Sequence, residues 1–390
     1  MEIKNIKKEF LPELKELLNY CFGLDDEILE RFVDDVYDPE TCFGVFTEDN
    51  KLAASLSVIP YNIYFNEKTV GMGGISAVST FPEYRNQSCA QKLLVKSLEF
   101  MKEKGDYFSF LNPFAYSFYR KYGWETGFEY KKYNMEIDHL RKFKDNNSCK
   151  FKKLKKENWT DIDRVYNSFV KKYNGPVKRS EKNWKIHLKN QEAKNKKRYG
   201  CIDDNGQLQG YIFFKIKEAK MSIDELAYTS IRYKKEILRF IYSHRAQIDK
   251  ISWRPPGDDN TILMLSDPER EHELSLGMMW RIIDVSKVME SYTFENNLNR
   301  SFTIKVKDPY ADWNNGVFRV EINQGKVKML ETDLSQGEIS CSIQALSQLV
   351  SGYISLEERK ALGDIEGRKE ALDKFKKFIP DKNTYLNDYF

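Results

Sequence analysis

Arg85, Asn86, Gln87, Ser88, Cys89 and Ala90 stand between an apolar strand pattern at 75–80, broken at Pro82, and an amphipathic helix pattern. Such an arrangement binds anions. The first N–H groups of a helix have no intrahelical partner and lie at the positive end of the macrodipole, so a phosphate satisfies both. Small side chains at Ser88, Cys89 and Ala90 let an anion reach the backbone, and the Arg85 guanidinium can grip phosphate oxygens in bidentate fashion. The helix that follows places Ala90, Leu93, Leu94, Ser97, Leu98 and Met101 at three- and four-residue spacing, with Gly105 as its C-terminal cap. On its own, the same pattern also suits an ordinary strand-to-helix turn.

The elements around this turn follow from periodicity. Two helix patterns come first, one through Phe10, Leu11, Leu14, Leu17 and Leu18, the other through Ile28, Leu29, Phe32, Val33 and Val36. Strand patterns at 42–47, 52–59, 61–65 and 72–80 alternate with polar turns at 48–50 and 66–68. After the helix come a short apolar strand at 107–111, Asn112 and Pro113, a helical turn at 116–122 and Gly123. Residues from 151 to about 256 repeat the order more loosely, with helices at 156–173 and 230–246 and strands at 199–202, 207–217, 223–228 and 250–254. Their strand-to-helix loop reads Thr229, Ser230, Ile231, Arg232, which offers no small-residue cradle. From Trp280 a third region carries strands at 301–307, 316–322 and 326–331 and helices near 343–350 and 367–375.

A chain of 390 residues makes two or three domains at about 150 residues each. A 41% hydrophobic and 14% aromatic content supplies a core, and a net charge of +4 gives no reason to expect a nucleic acid partner. No stretch approaches the ~20 apolar residues of a membrane span, and MEIKNIKKEF has no apolar core of a secretion signal. Cys21, Cys42, Cys89, Cys149, Cys201 and Cys341 are scattered without a CxxC pair, which suits a reducing compartment and predicts a cytoplasmic protein. His139, His187, His244 and His272 group neither with each other nor with cysteines, so no metal site is expected.

AVSTFPEYRNQSCAQKLL, followed by LNPFAYSFYRKYGW, resembles the acetyl-coenzyme A core of the GNAT superfamily of N-acetyltransferases, and within it the Eis (enhanced intracellular survival) aminoglycoside acetyltransferases. Arg85 and Ala90 fit the superfamily's phosphate motif, while Ser88 stands where its first glycine would, which implies weakened rather than abolished cofactor binding. The resemblance spans essentially the whole chain. It implies an α/β (α+β) protein of tandem GNAT folds, catalytic at 1–148 and degenerate at 149–279, followed by a sterol carrier protein-like domain at 280–390.

The resemblance also implies the chemistry. Acetyl-CoA is the cosubstrate, with no metal, and the acceptor is a small-molecule amine, in the Eis family an aminoglycoside; a homo-oligomer, a hexamer by family likeness, is implied as well. Tyr119 stands at the position of the general acid, and a phenol is protonated at neutral pH. The carboxylate of Phe390 would reach back as the base, its pKa raised by desolvation. Backbone groups of Val78, Ser79 and Thr80 would meet the pantetheine arm, Arg85 and Asn86 to Gln91 the pyrophosphate, and Asn112 the thioester region. An acidic acceptor pocket could use Asp25, Asp26 or Asp388, although Asp25 or Asp26 equally suits a helix N-cap, and the family's tail acid lies where this chain has Tyr389. A protein or polyamine acetyltransferase, or a non-catalytic binding protein with a decayed cofactor loop, would share much of the same pattern.

Overall fold

The computed structural model describes residues 1–145, 149–265 and 272–390, and its contacts divide them into two units. The first comprises residues 1–127, 278–381 and 389–390; the second comprises 128–277 and 382–388.

In the first unit, strand β1 (Glu2–Asn5) precedes helix α1 (Leu11–Phe22), whose Leu14, Leu17 and Leu18 form one buried stripe and whose end is Gly23 in the left-handed conformation. Helix α2 (Asp26–Asp35) follows, then strands β2 (Cys42–Phe46), β3 (Leu52–Phe65) and β4 (Lys68–Thr80). The strands expected separately at 52–59 and 61–65 are one, running through Pro60. Strand β2 pairs with β3 only as far as Ser57, so the proline's missing N–H faces no neighbouring strand. Helix α3 (Cys89–Lys104) buries Leu93, Leu94, Leu98 and Met101, and β5 (Phe108–Leu111), α4 (Tyr116–Arg120) and β6 (Glu125–Thr126) complete this stretch.

The second unit begins at β7 (Glu129–Glu136) and continues through β8 (Lys150–Lys153), α5 (Trp159–Val170), α6 (Glu181–Ala193), β9 (Lys197–Ile202), β10 (Leu208–Lys217), β11 (Lys220–Tyr228), α7 (Ile231–Tyr242), β12 (Lys250–Trp253) and β13 (His272–Leu276). Its sheet runs β13-β7-β12-β11-β10-β9-β8. The expected domain boundary at 148 lies outside the described residues, but it comes too late: β7 pairs with β12 and β13, so 129–136 already belongs to the second sheet. Helix α6 was not expected; its signal is Ser180, which forms a capping box with Asn183. Cys149, just before β8, and Cys201 of β9 form a disulfide with Cα atoms 5.9 Å apart, so the scattered cysteines do not argue for a reducing compartment as expected.

Strand β14 (Met279–Ile282) then joins the first unit's sheet, whose order is β1-β2-β3-β4-β5-β14-β6. The expected boundary between 279 and 280 therefore cuts a strand. Trp280 explains the placement, because its ring packs against Phe108 and Phe110 with centroids 4.8 and 4.5 Å away. The rest of the first unit follows as α8 (Val285–Glu290), β15 (Arg300–Lys307), β16 (Gly316–Asn323), β17 (Lys326–Thr332), β18 (Ile339–Ser342), α9 (Ile343–Ser351), α10 (Leu356–Ala361), β19 (Ile365–Gly367) and α11 (Lys369–Phe375). Its strands form a five-stranded sheet ordered β17-β16-β15-β18-β19.

Candidate active site

The site lies in the first unit, where two parallel strands separate. Strands β4 and β5 pair from Met72↔Phe108 to Ile75↔Leu111 and no further, while β4 continues to Thr80. On its other side β4 stays paired with β3, but two register pairs, Ser57↔Ser76 and Ser55↔Ser79, enclose an extra residue on β4. Ala77 absorbs that bulge with φ +54°. Among the described residues the β5-side edge of β4 beyond Ile75 therefore has no strand partner, and an extended ligand arm can add to it as a strand would.

The residues expected along this edge are held from behind. Ser79 is buried, its Oγ hydrogen-bonded to Ser55 Oγ at 2.7 Å, and the proton left over is within reach of the Ala77 carbonyl, 3.1 Å from Ser55 Oγ and 3.3 Å from Ser79 Oγ. Val78 packs against the core, and the Thr80 carbonyl accepts the Cys21 thiol at 3.7 Å. Asn112 is exposed directly after β5, on the other side of the opening.

Residues 81–88 then lead into α3. Asn86 and Ser88 both take positive φ, +63° and +59°. Asparagine reaches this region through its short polar side chain, while serine occupies it at a cost that glycine avoids. Cys89 turns inward, with Sγ 3.7 Å from the Tyr84 carbonyl and 3.9 Å from Met1 Sδ. Arg85 is exposed, its guanidinium 5.9 Å over the Tyr20 ring, and Gln87 donates back to the Glu83 carbonyl at 3.1 Å. A groove of about 350 Å³ runs from Ser88 along Gln91, Lys92 and Lys96. Glu99 lines the groove too and pairs with Lys96 at 3.2 Å, so the donors for a cofactor's phosphates are the helix N–H groups, Lys92 and the nearby Arg85.

Tyr119 on α4 is only 3% exposed, ringed by Phe114 and Phe118 at 5.3 and 5.1 Å. Its hydroxyl makes no hydrogen bond among the described residues. Burial raises its pKa above the ordinary phenol value, so the proton stays on at physiological pH. Phe390 lies with its ring directly on Gly74 of β4, one residue before the last β4–β5 pair, and 5.2 Å from the Tyr61 ring. A Cβ at Gly74 would meet that ring at 2.6 Å. Neither Gly74 nor Tyr61 was singled out from sequence, although Gly73 and Gly74 inside a strand are the kind of signal that marks close approach.

Two expected acceptor-binding residues are otherwise engaged. Asp25 caps α2, accepting the Ile28 N–H at 2.8 Å, as one of its two readings has it. Asp26 is exposed in the first turn of that helix. Asp388 belongs to the second unit, where Arg179 Nε donates to its carboxylate at 2.9 Å. Arg179 is fully buried, holds Glu225 through two further bonds of 2.9 and 2.8 Å, and stacks on Tyr166 and Trp184. Burial alone would raise the Glu225 pKa, but Arg179 and His187 hold that carboxyl well below its usual range.

Comparison with known proteins agrees with this geometry. Residues 2–127 and 175–282 each match an acetyltransferase (GNAT) domain family, and 285–387 match a sterol carrier protein domain. No curated protein sequence matches the chain. A probable N-acyltransferase from Enterococcus faecalis V583 is 23% identical with a TM-score of 0.91, covering 100% of this chain and 99% of its own. A GCN5-related N-acetyltransferase from Anabaena variabilis is 22% identical at a TM-score of 0.87, with 100% of both chains covered. Eis1 from Mycobacterium abscessus is 15% identical at a TM-score of 0.81, again over 100% of both chains. At these identities the solved structures speak for the fold, and the matched domains speak for the chemistry. With two acetyltransferase domains followed by a sterol carrier protein domain, the chain is an acyltransferase of the GNAT superfamily.

Proposed function

We propose that the chain is an acetyl-CoA-dependent N-acetyltransferase that passes the acetyl group directly to an amine of a polycationic small molecule, with aminoglycosides as the first candidates. The observation that supports this reading is the opening between β4 and β5, where β4 runs on toward the start of α3 and buried Tyr119 shares a core cluster with Ile75 and Leu111, the last paired residues of the two strands. Arg85, the N–H groups from Asn86 to Gln91 and Lys92 of the groove would hold the pyrophosphate end. Backbone groups of Val78 to Thr80, with Asn112 opposite, would hold the pantetheine arm. Acetyl-CoA supplies the activated acyl carbon as a thioester.

The chain's own groups then have distinct tasks. The carboxylate of Phe390, whose ring is seated on Gly74, would remove a proton from the incoming ammonium. A β4 N–H beyond Ile75 stabilises the oxyanion that forms as the amine adds. Tyr119 donates its proton to the departing thiolate, for which a hydroxyl with no other partner is suited. The polycation preference rests on family likeness, with Asp26 the acidic candidate not engaged elsewhere; a cytoplasmic homo-oligomer, hexameric by the same likeness, belongs to this reading too.

The test has two parts. Acetyl-CoA at a hundredfold excess over its Kd should stabilise the chain by about 2.7 kcal/mol, raising Tm, and kanamycin-type acceptors should turn over faster than lysine peptides or polyamines. Tyr119→Phe should then lower kcat by about a hundredfold with acetyl-CoA KM unchanged. Faster turnover of the peptide would reassign the acceptor class. No stabilisation and no turnover would leave a binding protein.

A further inference from the structure

We propose that β14 and the sterol carrier-like region hold the helix that carries Tyr119, with Arg281 of β14 and Tyr310 as positioning residues for the acid step. The proposal rests on the reading of Tyr119 as the general acid.

Helix α4 is five residues long. Isolated helices are marginal below about 12–15 residues, so neighbours rather than its own hydrogen bonds must fix its direction. Phe114 and Phe118 pack around Tyr119 from the same stretch of chain. The turn that ends α4 is held instead by residues far along the sequence. Gln344 Nε2 donates to the Arg120 carbonyl at 2.8 Å, and the Tyr310 ring packs on Tyr122 with centroids 4.9 Å apart. The third hold is on Gly123. Its φ is +95°, and the Arg281 guanidinium lies directly where a Cβ would project.

Arg281 and Asp308 are both fully buried, and Arg281 Nη2 contacts the two carboxylate oxygens at 2.9 Å each. Asn314 Nδ2 adds a bond of 3.1 Å to Asp308. Yet Arg281 Nε and Nη1 have no hydrogen-bond partner among the described residues. A buried ion pair with unused donors adds little stability over packed apolar side chains. What this pair does is fix a planar, charged group against Gly123, three residues past the end of the Tyr119 helix. Reacting groups misplaced by about 1 Å can lose a hundredfold in rate, so a hold at this point acts on turnover.

Tyr310→Ala and Tyr310→Phe, each made in the full chain with and without Tyr119→Phe, test the idea. Tyr310→Ala should lower kcat about five- to tenfold with acetyl-CoA KM within twofold, and Tyr310→Phe, which keeps the ring, should restore it. In the Tyr119→Phe background the alanine change should alter kcat less than about twofold, because residues acting as one unit are not additive. An equal loss in both backgrounds, or no loss at all while Tyr119→Phe is slow, would overturn the positioning role. Unchanged kcat in Tyr119→Phe alone would instead overturn the acid assignment, and this proposal with it. Should Tyr310→Ala not fold, Gln344→Ala removes one partly exposed hydrogen bond and should show the same background dependence at about two- to threefold.

Discussion

The strand opening that forms the candidate site is built twice in this chain, and the two copies differ where they would meet a phosphate. Strands β4 and β5 pair over Met72–Ile75 and then part; β11 and β12 pair in parallel from Lys220↔Lys250 to Ile223↔Trp253 and then part as well. In the first copy residues 81–88 separate β4 from α3, with Asn86 and Ser88 at positive φ. In the second only Thr229 and Ser230 separate β11 from α7. There the first turn of α7 carries Lys234, 3% exposed, with Nζ 2.6 Å from Asp259 Oδ2. Asp259 also accepts from the Thr261 N–H and the Tyr133 hydroxyl. One copy leaves its donors open; the other satisfies its cation with a carboxylate of its own. Loss of an anion site thus needs no loss of the helix, only a shorter loop and an internal counter-ion.

The largest expected effect tests whether the second copy serves stability rather than cofactor binding. Arg179→Leu leaves Glu225 and Asp388 without their cation and should cost about 3–5 kcal/mol in thermal unfolding of the second unit. The Kd for acetyl-CoA, read where the chain is folded, should stay within about twofold; a large loss would give the second copy a part in binding. The pH dependence has a definite sign. Because the folded Glu225 pKa is lowered, its stabilisation is present above the unfolded carboxylate value near 4.3 and is lost as pH falls through the folded value.

A smaller effect separates the two openings directly. Counting back one residue from the last pair, Gly74 in the first corresponds to Ser222 in the second. Gly74→Ala drives a Cβ into the Phe390 ring and should lower kcat about tenfold, while Ser222→Ala, at an exposed position, should leave turnover within about twofold. Equal effects would show that the seat of Phe390 does not matter to the reaction. The smallest change is Ser88→Gly. Removing left-handed strain should stabilise the fold by up to about 1 kcal/mol, and acetyl-CoA Kd should fall or hold. A marked rise in Kd would mean that the serine hydroxyl itself binds the cofactor.

Sequence alone reveals α3 and the strands around it well, because their apolar spacing and caps are local; Ser97 and Met101 are buried on the face that the three- and four-residue spacing predicts. The candidate loop was visible for the same reason. What stayed hidden depends on partners far along the chain. Strand β14 could not be assigned to the first sheet from its own residues, nor β7 to the second, since pairing decides both. The disulfide joins cysteines 52 residues apart with no motif to connect them. Asp388 reads as a free acid until Arg179 is found beside it, and Gly74 reads as a weak strand residue until the Phe390 ring covers it.

The insertion of β14 bears on how the protein comes to be made. A ribosome delivers residues 1–127 long before 279–282, so the acetyltransferase sheet waits with the edge of β5 unpaired and Phe108 and Phe110 without their Trp280 contact while the whole second unit is synthesised. An open strand edge lined with aromatics is prone to self-association. A truncated amino-terminal fragment is therefore a poor surrogate for the enzyme, and mutations that slow synthesis or folding of residues 128–277 would act at a distance, by prolonging the interval in which the catalytic sheet is incomplete.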